Sequence, residues 1–389
     1  MVDLHPFANH LPVKIRFGEG VAMSIVDVVN ELGATKVFLM VDEGIEQFND
    51  EAAKVISHLE NCSLSVIRFN KPAGEPTFAM VDDATRALAE SGASALIALG
   101  GGSVIDTAKA ARLCAQQACT FAAFIEHRPA YREPDLALVA IPTSAGTGSE
   151  VSGGAVVSNP EAGTKNGIAN ATMRAQYALV DPLLTHSMPA AMTANTGIDA
   201  IAQAIAGMVA SCRTPIGDAI ALEAIAMMTP AIVAAQRNPN DRQARAAMSC
   251  GSMMAGLTMN VSDCSAEHSL GQAIGGLTHA PHGLTIGLVL AETLDRERAH
   301  VAAQLERVAN AMGAPVDGTS DGSRAVRAVK QLLCDLEFPV LRDVKITEAD
   351  LDTLTDLALA DYFITMAPAP WSKEEVRNCF AQALLLERR

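Results

Sequence analysis

Aromatic side chains are scarce in this chain of 389 residues, which has one Trp, three Tyr and eleven Phe, so aromatic stacking carries little of its function. Basic residues are in deficit as well. With 29 Lys and Arg against 44 Asp and Glu, the formal charge is −15, and no basic run offsets it. Such a surface repels nucleic acid, which is excluded as a partner. The eight cysteines include no C-x-x-C pair. They read as reduced thiols that pack as small apolar groups. The N-terminal stretch 1-MVDLHPFANHLPVKIRFGEG-20 lacks a basic start and an apolar core, so no secretory signal is expected there. No window of about 18 uncharged apolar residues stands out as a membrane span, although 49% of the chain is hydrophobic and its mean hydropathy is +0.21. A cytoplasmic protein with no membrane partner is expected.

The length suggests two domains. Strand-like runs 36-KVFLMVD-42, 64-LSVIRFN-70, 95-ALIALG-100 and 136-LALVAIPT-143 alternate with helical periodicity over 51–62, 78–92 and 103–117. This rhythm predicts a doubly wound parallel sheet of Rossmann-like α/β type. Beyond Pro189 the periodicity is almost wholly helical, over 190–210, 216–236, 242–258, 299–313 and 373–389. The expected organisation is an α/β domain over 1–185 and an all-α domain over 186–389.

Three glycines, Gly100 to Gly102, close the third strand and open a helix. Unpaired N–H groups and the positive end of the helix make that spot an anion site, and glycine lets a phosphate touch the backbone. The fingerprint G-x-G-x-x-G is met only in part, because its third position is Ile105. Ser103 is placed to cap the helix, while Asp106 and Lys109 share one face, where they pair or point into a cleft. A second loop of small residues, 143-TSAGTGSE-150, also follows a strand. Two such loops at the carboxyl ends of parallel strands are where α/β sheets hold ligands. Asp42 ends the first strand, and a carboxylate there suits ribose hydroxyls and repels a 2′-phosphate, favouring NAD over NADP.

In the helical half, Asp199 lies within a mostly apolar helix with Gln203 one turn later. Such an Asp needs a partner or a metal. His268, His279 and His282 fall within fifteen residues. Two histidines and a carboxylate are a ligand set for zinc or non-haem iron, and equally a set of hydrogen-bonded helix contacts.

Taken together, 14-KIRFGEG-20, 100-GGGSVIDTAK-109, 141-IPTSAGTGSEVS-152, 178-ALVDP-182, 197-GIDAIAQAI-205 and 281-PHG-283 resemble the iron-containing (group III) alcohol dehydrogenases over nearly the whole chain. The resemblance implies a dehydroquinate synthase-like architecture. It also implies NAD(P) in the first domain, one divalent metal, Fe or Zn, held by the second in the cleft between them, and a small alcohol or aldehyde substrate. By motif, Gly100, Gly101, Gly102, Ser103, Asp106, Thr143, Ser144, Thr147, Lys165, Leu179 and Asp42 become expected cofactor contacts. Asp199, Gln203, His268 and His282 become the expected metal positions. Gln203 replaces a family histidine ligand, and Gln272 replaces a histidine near nicotinamide and substrate. That leaves Gln272 and His279 as the candidate catalytic groups, and a three-ligand site as the adopted reading. A metal-independent reductase of the maleylacetate reductase type, a dehydroquinate synthase-like cyclase and a non-catalytic NAD sensor are the alternatives. The resemblance further implies a homodimer or higher even oligomer.

Overall fold

The computed structural model describes residue 7 and residues 9–161 and 164–386. Its strands are β1 Lys14–Phe17, β2 Lys36–Asp42, β3 Ser65–Lys71, β4 Ala95–Gly100, β5 Ala137–Pro142, β6 Gly154–Asn159, β7 Thr164–Ala169 and β8 Tyr177–Val180. Helices α1 Ile25–Glu31, α2 Asp50–Glu60, α3 Phe78–Ser91, α4 Gly102–Gln117 and α5 Phe121–His127 lie among them. After β8 come α6 Ala190–Val209, α7 Pro215–Arg237, α8 Arg242–Ser262, α9 Ala266–Thr278, α10 His282–Ala311, α11 Ser323–Asp335, α12 Leu351–Ala360 and α13 Lys373–Leu385. The chain forms two compact units. One comprises Pro12–Thr193 with Ala234–Met253, and the other comprises Ala194–Val233, the described residues from Met254 onward and those up to Leu11.

In the first unit, six parallel strands run in the order β1-β8-β5-β4-β2-β3. Period-two alternation explains both faces. Val37, Leu39, Val41, Ile97 and Leu99 enter one apolar cluster, while Phe38, Met40, Leu96 and Ala98 enter another on the opposite side. Helix starts follow ordinary capping, with Asn49 accepting from the Ala52 N–H and Thr77 from the Met80 N–H. Gly92, at φ +60°, ends α3 in the left-handed conformation that glycine adopts without strain. The antiparallel pair β6–β7 stands apart from the sheet.

The chain leaves β2 toward β3 on one side and leaves β4 toward β5 on the other. The sheet therefore reverses between the carboxyl ends of β2 and β4, and open α/β sheets bind ligands at such a reversal.

In the second unit, glycines set how closely the helices approach. A Cβ on Gly271 of α9 would lie 2.4 Å from Ile286 Cδ1 of α10, and one on Gly287 would lie 2.5 Å from Phe338. At Gly283, in the first turn of α10, a Cβ would meet the Asn195 carbonyl oxygen of α6 at 2.2 Å. Helix α10 is kinked at Val301, whose φ of −130° is not helical. Among the described residues one helix, α7, is long and apolar enough to cross a membrane by length and composition, though it carries Asp218, Glu223 and Arg237. Its Asp218 is buried and paired with Arg213 and Arg307.

Candidate functional site

The end of β4 explains the three glycines in two different ways. A Cβ on Gly100 would lie 2.5 Å from Val104 Cγ2 and 3.0 Å from Asp42 Oδ2, so this position is closed by packing. On Gly101 and Gly102 the nearest atoms to a Cβ would be Ser144 Oγ at 3.7 Å and Thr147 Oγ1 at 3.8 Å. Bare backbone at the start of the sixteen-residue helix α4 thus lies beside two hydroxyls, a cradle suited to phosphate oxygens. The Thr143 N–H donates to the Gly100 carbonyl at 3.0 Å, which fixes the second loop beside the first.

Asp42 lies at the sheet reversal, where its Oδ2 accepts weakly from the Gly101 N–H at 3.4 Å. Burial raises its carboxyl above the usual range, and Lys71, its partner across β2–β3, pulls in the other direction. A 2′-phosphate beside this carboxylate would be repelled, whereas ribose hydroxyls can donate to it.

Several sequence expectations take other places. The N-cap of α4 is Gly101, with no side-chain cap, so Ser103 sits one turn position inside the helix and does not cap it. Asp106 is held by protein groups: its Oδ1 accepts from Ser149 Oγ at 2.5 Å and its Oδ2 from the Val156 N–H at 3.0 Å. Lys109 is fully buried and donates to Ser149 Oγ and the Gly154 carbonyl, both at 2.8 Å. Burial pushes Lys109 down to about 8 and the neighbouring Glu150 up to about 7. The pair fastens α4 to the second loop and to β6, because the helix face that carries it turns toward protein. Lys165, on β7, forms an ion pair with Glu75 at 2.8 Å. The Leu179 side chain has no exposed surface and belongs to an apolar cluster on one face of the sheet.

The helical unit brings three of the four expected metal positions together. Asp199 comes from α6, His268 from α9 and His282 is the first residue of α10. Asp199 Oδ1 lies 3.7 Å from His268 Nε2 and 3.8 Å from His282 Nε2, and the three ligand atoms all fall within 4.8 Å of one another. These separations are too long for hydrogen bonds. They approach the spacing of about 3.3 Å between donors that share one tetrahedral ion at roughly 2.0–2.1 Å.

The carboxylate supplies the test of fit. Asp199 Oδ1 is buried without a hydrogen-bond partner, a costly state unless a cation completes it. Asp199 and His268 are buried, while the His282 side chain is 31% exposed, so the site is closed on two sides and open at His282. The donor set fits a divalent ion with a free position, and the orphaned carboxylate counts against the metal-free alternative.

Gln203 is buried one turn after Asp199 on α6. Gln272 is half-buried one turn after His268 on α9. His279 is exposed, at φ +55°, and its N–H donates to the Gly275 carbonyl at 2.9 Å. It ends α9 and lies outside the ligand group.

The sequence reading missed Glu267, a buried carboxylate whose Oε1 lies 2.7 Å from His268 Nδ1. It also missed Phe363, whose ring meets His268 edge-on at 5.6 Å. An acid beside a ligand histidine in 265-SAEH-268 was the available signal. Behind Glu267, Glu297 is pushed up to about 8, first by burial and then by the Glu267 charge. A raised carboxyl of this kind stabilises the fold below its unfolded value of 4.5, and that stability is lost as pH rises to about 8. Glu297→Gln is therefore expected to gain on the wild type between pH 5 and 8, by at most about 4 kcal/mol at 1.36 kcal/mol per pH unit. Thermal unfolding of both proteins at the two pH values checks this, and a constant difference in Tm refutes it.

The description "Iron-containing alcohol dehydrogenase" matches residues 12–182, and "Fe-containing alcohol dehydrogenase family, C-terminal" matches residues 193–384. The chain is 31% identical over 367 residues to the probable alcohol dehydrogenase EutG of Escherichia coli (strain K12), covering 94% of this chain and 92% of that protein. It is 30% identical over 369 residues to the choline dehydrogenase of Bacillus subtilis (strain 168), covering 93% and 90% respectively. Among solved structures, a 1,3-propanediol oxidoreductase superposes with a TM-score of 0.92 at 25% identity, over 97% of this chain and all of that one. A sulfoacetaldehyde reductase from Bifidobacterium kashiwanohense in complex with NAD+ gives 0.89 at 25% identity, over 98% of this chain and 100% of that chain. Cofactor cradle, ligand triad and these matches over both halves lead to one conclusion: the chain belongs to the iron-containing alcohol dehydrogenase family, as an alcohol dehydrogenase-type oxidoreductase that uses NAD and a divalent metal.

Proposed function

We propose that this protein exchanges hydride between NAD and a short polar alcohol or aldehyde, with Asp199, His268 and His282 holding one iron or zinc ion. The observation that carries the reading is the unpartnered Asp199 Oδ1 with two imidazole nitrogens at 3.7 and 3.8 Å. Alcohols and a diol are the substrates that several relatives are named for, among them a 1,3-propanediol dehydrogenase from Citrobacter freundii and an NAD-dependent methanol dehydrogenase from Bacillus methanolicus.

When bound, the ion polarises the substrate oxygen and NAD takes or gives the hydride. The chain supplies placement. Asp199 and His268 close the buried sides, and His282 leaves the approach for a small oxygen ligand. Gln272, one turn from His268, offers an amide that donates and accepts at once, which suits a neutral hydroxyl or carbonyl and leaves it unable to relay a proton near neutral pH. Gly101 and Gly102 give backbone N–H groups to the pyrophosphate, with Ser144 and Thr147 as hydroxyl donors. Asp42 receives ribose hydroxyls and disfavours NADP. The unit of Pro12–Thr193 with Ala234–Met253, rather than a simple 1–185 region, thus serves the cofactor, and the other unit the metal and substrate.

Two further parts of the reading concern the whole molecule. A cytoplasmic location follows from the acidic composition and the scattered thiols. A homodimer through β1 is supported by its place at the sheet edge and by the exposure of Ile15 and Phe17. The test uses one preparation, purified without chelator. Elemental analysis should find one divalent ion per chain, light scattering should give about twice the mass of a 40.7 kDa chain, and NAD reduction with a panel of short alcohols and diols should stop with EDTA and return with zinc or ferrous iron. A metal-free preparation that turns over alcohols with EDTA present would sink the metal reading, and a mass of one chain would sink the dimer.

A further inference from the structure

Immediately before His268 the chain carries an acid buried more deeply than the histidine, with Glu267 only 1% exposed on a helix of small residues. Glu267 Oε1 accepts from His268 Nδ1 at 2.7 Å and from the Ser265 N–H at 3.3 Å. With the Nδ1 proton so engaged, the lone pair of His268 rests on Nε2, the nitrogen 3.7 Å from Asp199 Oδ1. The remaining oxygen, Glu267 Oε2, is buried without a hydrogen-bond partner.

Charge near this acid is not relieved by its surroundings. Glu297, itself fully buried, is linked to the same turn through Ser265 Oγ at 3.4 Å and adds a second carboxyl. Among the described residues, no Lys or Arg forms an ion pair with Asp199 or Glu267, whose only ionic contacts are to His268 and His282. Two buried carboxylates without a cationic side chain are costly, and a single divalent ion carries the charge that neutralises both.

We propose that Glu267 is a positioning residue for the metal: it fixes the His268 tautomer and ring, strengthens Nε2 as a donor, and supplies the second negative charge that balances the ion. This rests on reading Asp199, His268 and His282 as the metal site. The arrangement compensates for Gln203, a neutral amide where the resemblance led us to expect a further imidazole. A carboxylate behind a ligand imidazole raises its basicity and holds its orientation, and removing such a partner commonly costs about 10–100-fold in metal affinity.

The experiment compares full-length wild type, Glu267→Gln, Glu267→Ala and Asp199→Asn after removal of metal. Zinc affinity is measured by competition with a chromophoric chelator, and the Tm of each metal-free protein is recorded beside it. Glu267→Gln keeps the size and one acceptor but loses the charge, so it should bind zinc about 10-fold more weakly, and Glu267→Ala about 100-fold, with the metal-free Tm of Glu267→Gln close to wild type. If Glu267→Ala does not fold, Glu267→Gln decides alone. Equal zinc affinity in wild type and Glu267→Gln overturns the inference, as does a loss of metal-free Tm that accounts for the whole loss of affinity. A wild type that binds no zinc or ferrous iron at all overturns the metal reading itself, and is told apart from a failure at Glu267 alone by that result.

Discussion

Asp199→Asn is expected to leave the protein folded and able to bind NAD, yet to empty it of metal and lower kcat/KM by about three orders of magnitude, or about 4 kcal/mol of transition-state stabilisation. The substitution preserves shape, which matters because a Cβ on Gly283 would already lie 3.0 Å from Asp199 Cβ. What changes is the donor: a carboxylate that binds a divalent ion becomes an amide that binds it poorly. Metal-free Asp199→Asn should be at least as stable as metal-free wild type, since the buried oxygen without a partner no longer carries charge. Elemental analysis, NAD titration and alcohol oxidation together check the prediction. A variant that keeps its ion and its rate would show that Asp199 is not a ligand.

A comparably large effect is expected at Gly283, which has no side chain to hold an ion. Its Cβ would be placed 2.2 Å from the Asn195 carbonyl oxygen and 2.8 Å from the carbonyl carbon. Both are backbone atoms, so no side chain can rotate away. Gly283→Ala must push the start of α10 off α6, at a cost of about 1–3 kcal/mol in overpacking. The same displacement carries His282 away from Asp199, and ligand geometry tolerates only a few tenths of an ångström. Metal affinity should therefore fall more than fold stability does. Gly276→Ala in α9 is the control, because nothing lies within 4 Å of its added Cβ and alanine favours a helix by about 0.8–1.0 kcal/mol over glycine. Thermal unfolding with and without metal separates the two. If Gly283→Ala binds metal as wild type does, the close approach of these helices is not what sets the site.

The elements legible in the sequence are those whose pattern is local. Strand β4 reads as a short apolar run because it is buried on both faces, and α3 ends where Gly92 supplies the left-handed turn. Strands β6 and β7 were missed for the opposite reason. Segments 154-GAVVSN-159 and 164-TKNGIA-169 carry glycine and polar residues among few apolar ones, although Ala155, Val157 and Ile168 are buried in an apolar cluster. Asp106 and Lys109 do pair along the helix face, at 3.7 Å, but their hydrogen-bond partners Ser149, Gly154 and Val156 lie forty or more positions away, beyond any periodicity. Spacing alone could not separate Asp199, His268 and His282 from core contacts. Resemblance to a family named them, and the orphaned Asp199 oxygen then gave a physical reason. Glu267 escaped because an acid on a helix normally faces water, and only the packing of α9 shows that this one does not.

The three ligands also have a meaning along the chain. Asp199 and His268 are roughly 70 residues apart, with α7 and α8 between them, and His282 follows after a further turn. An ion shared by the three closes a long loop and a short one, as a covalent cross-link would. Because the unfolded chain cannot present the same geometry, binding weights the folded state by about 2.7 kcal/mol when free metal stands at 100 times its dissociation constant. An ion bound there would therefore act on how long each molecule survives as well as on what it catalyses. A cell short of the metal would lose this protein to proteolysis as well as to inactivity.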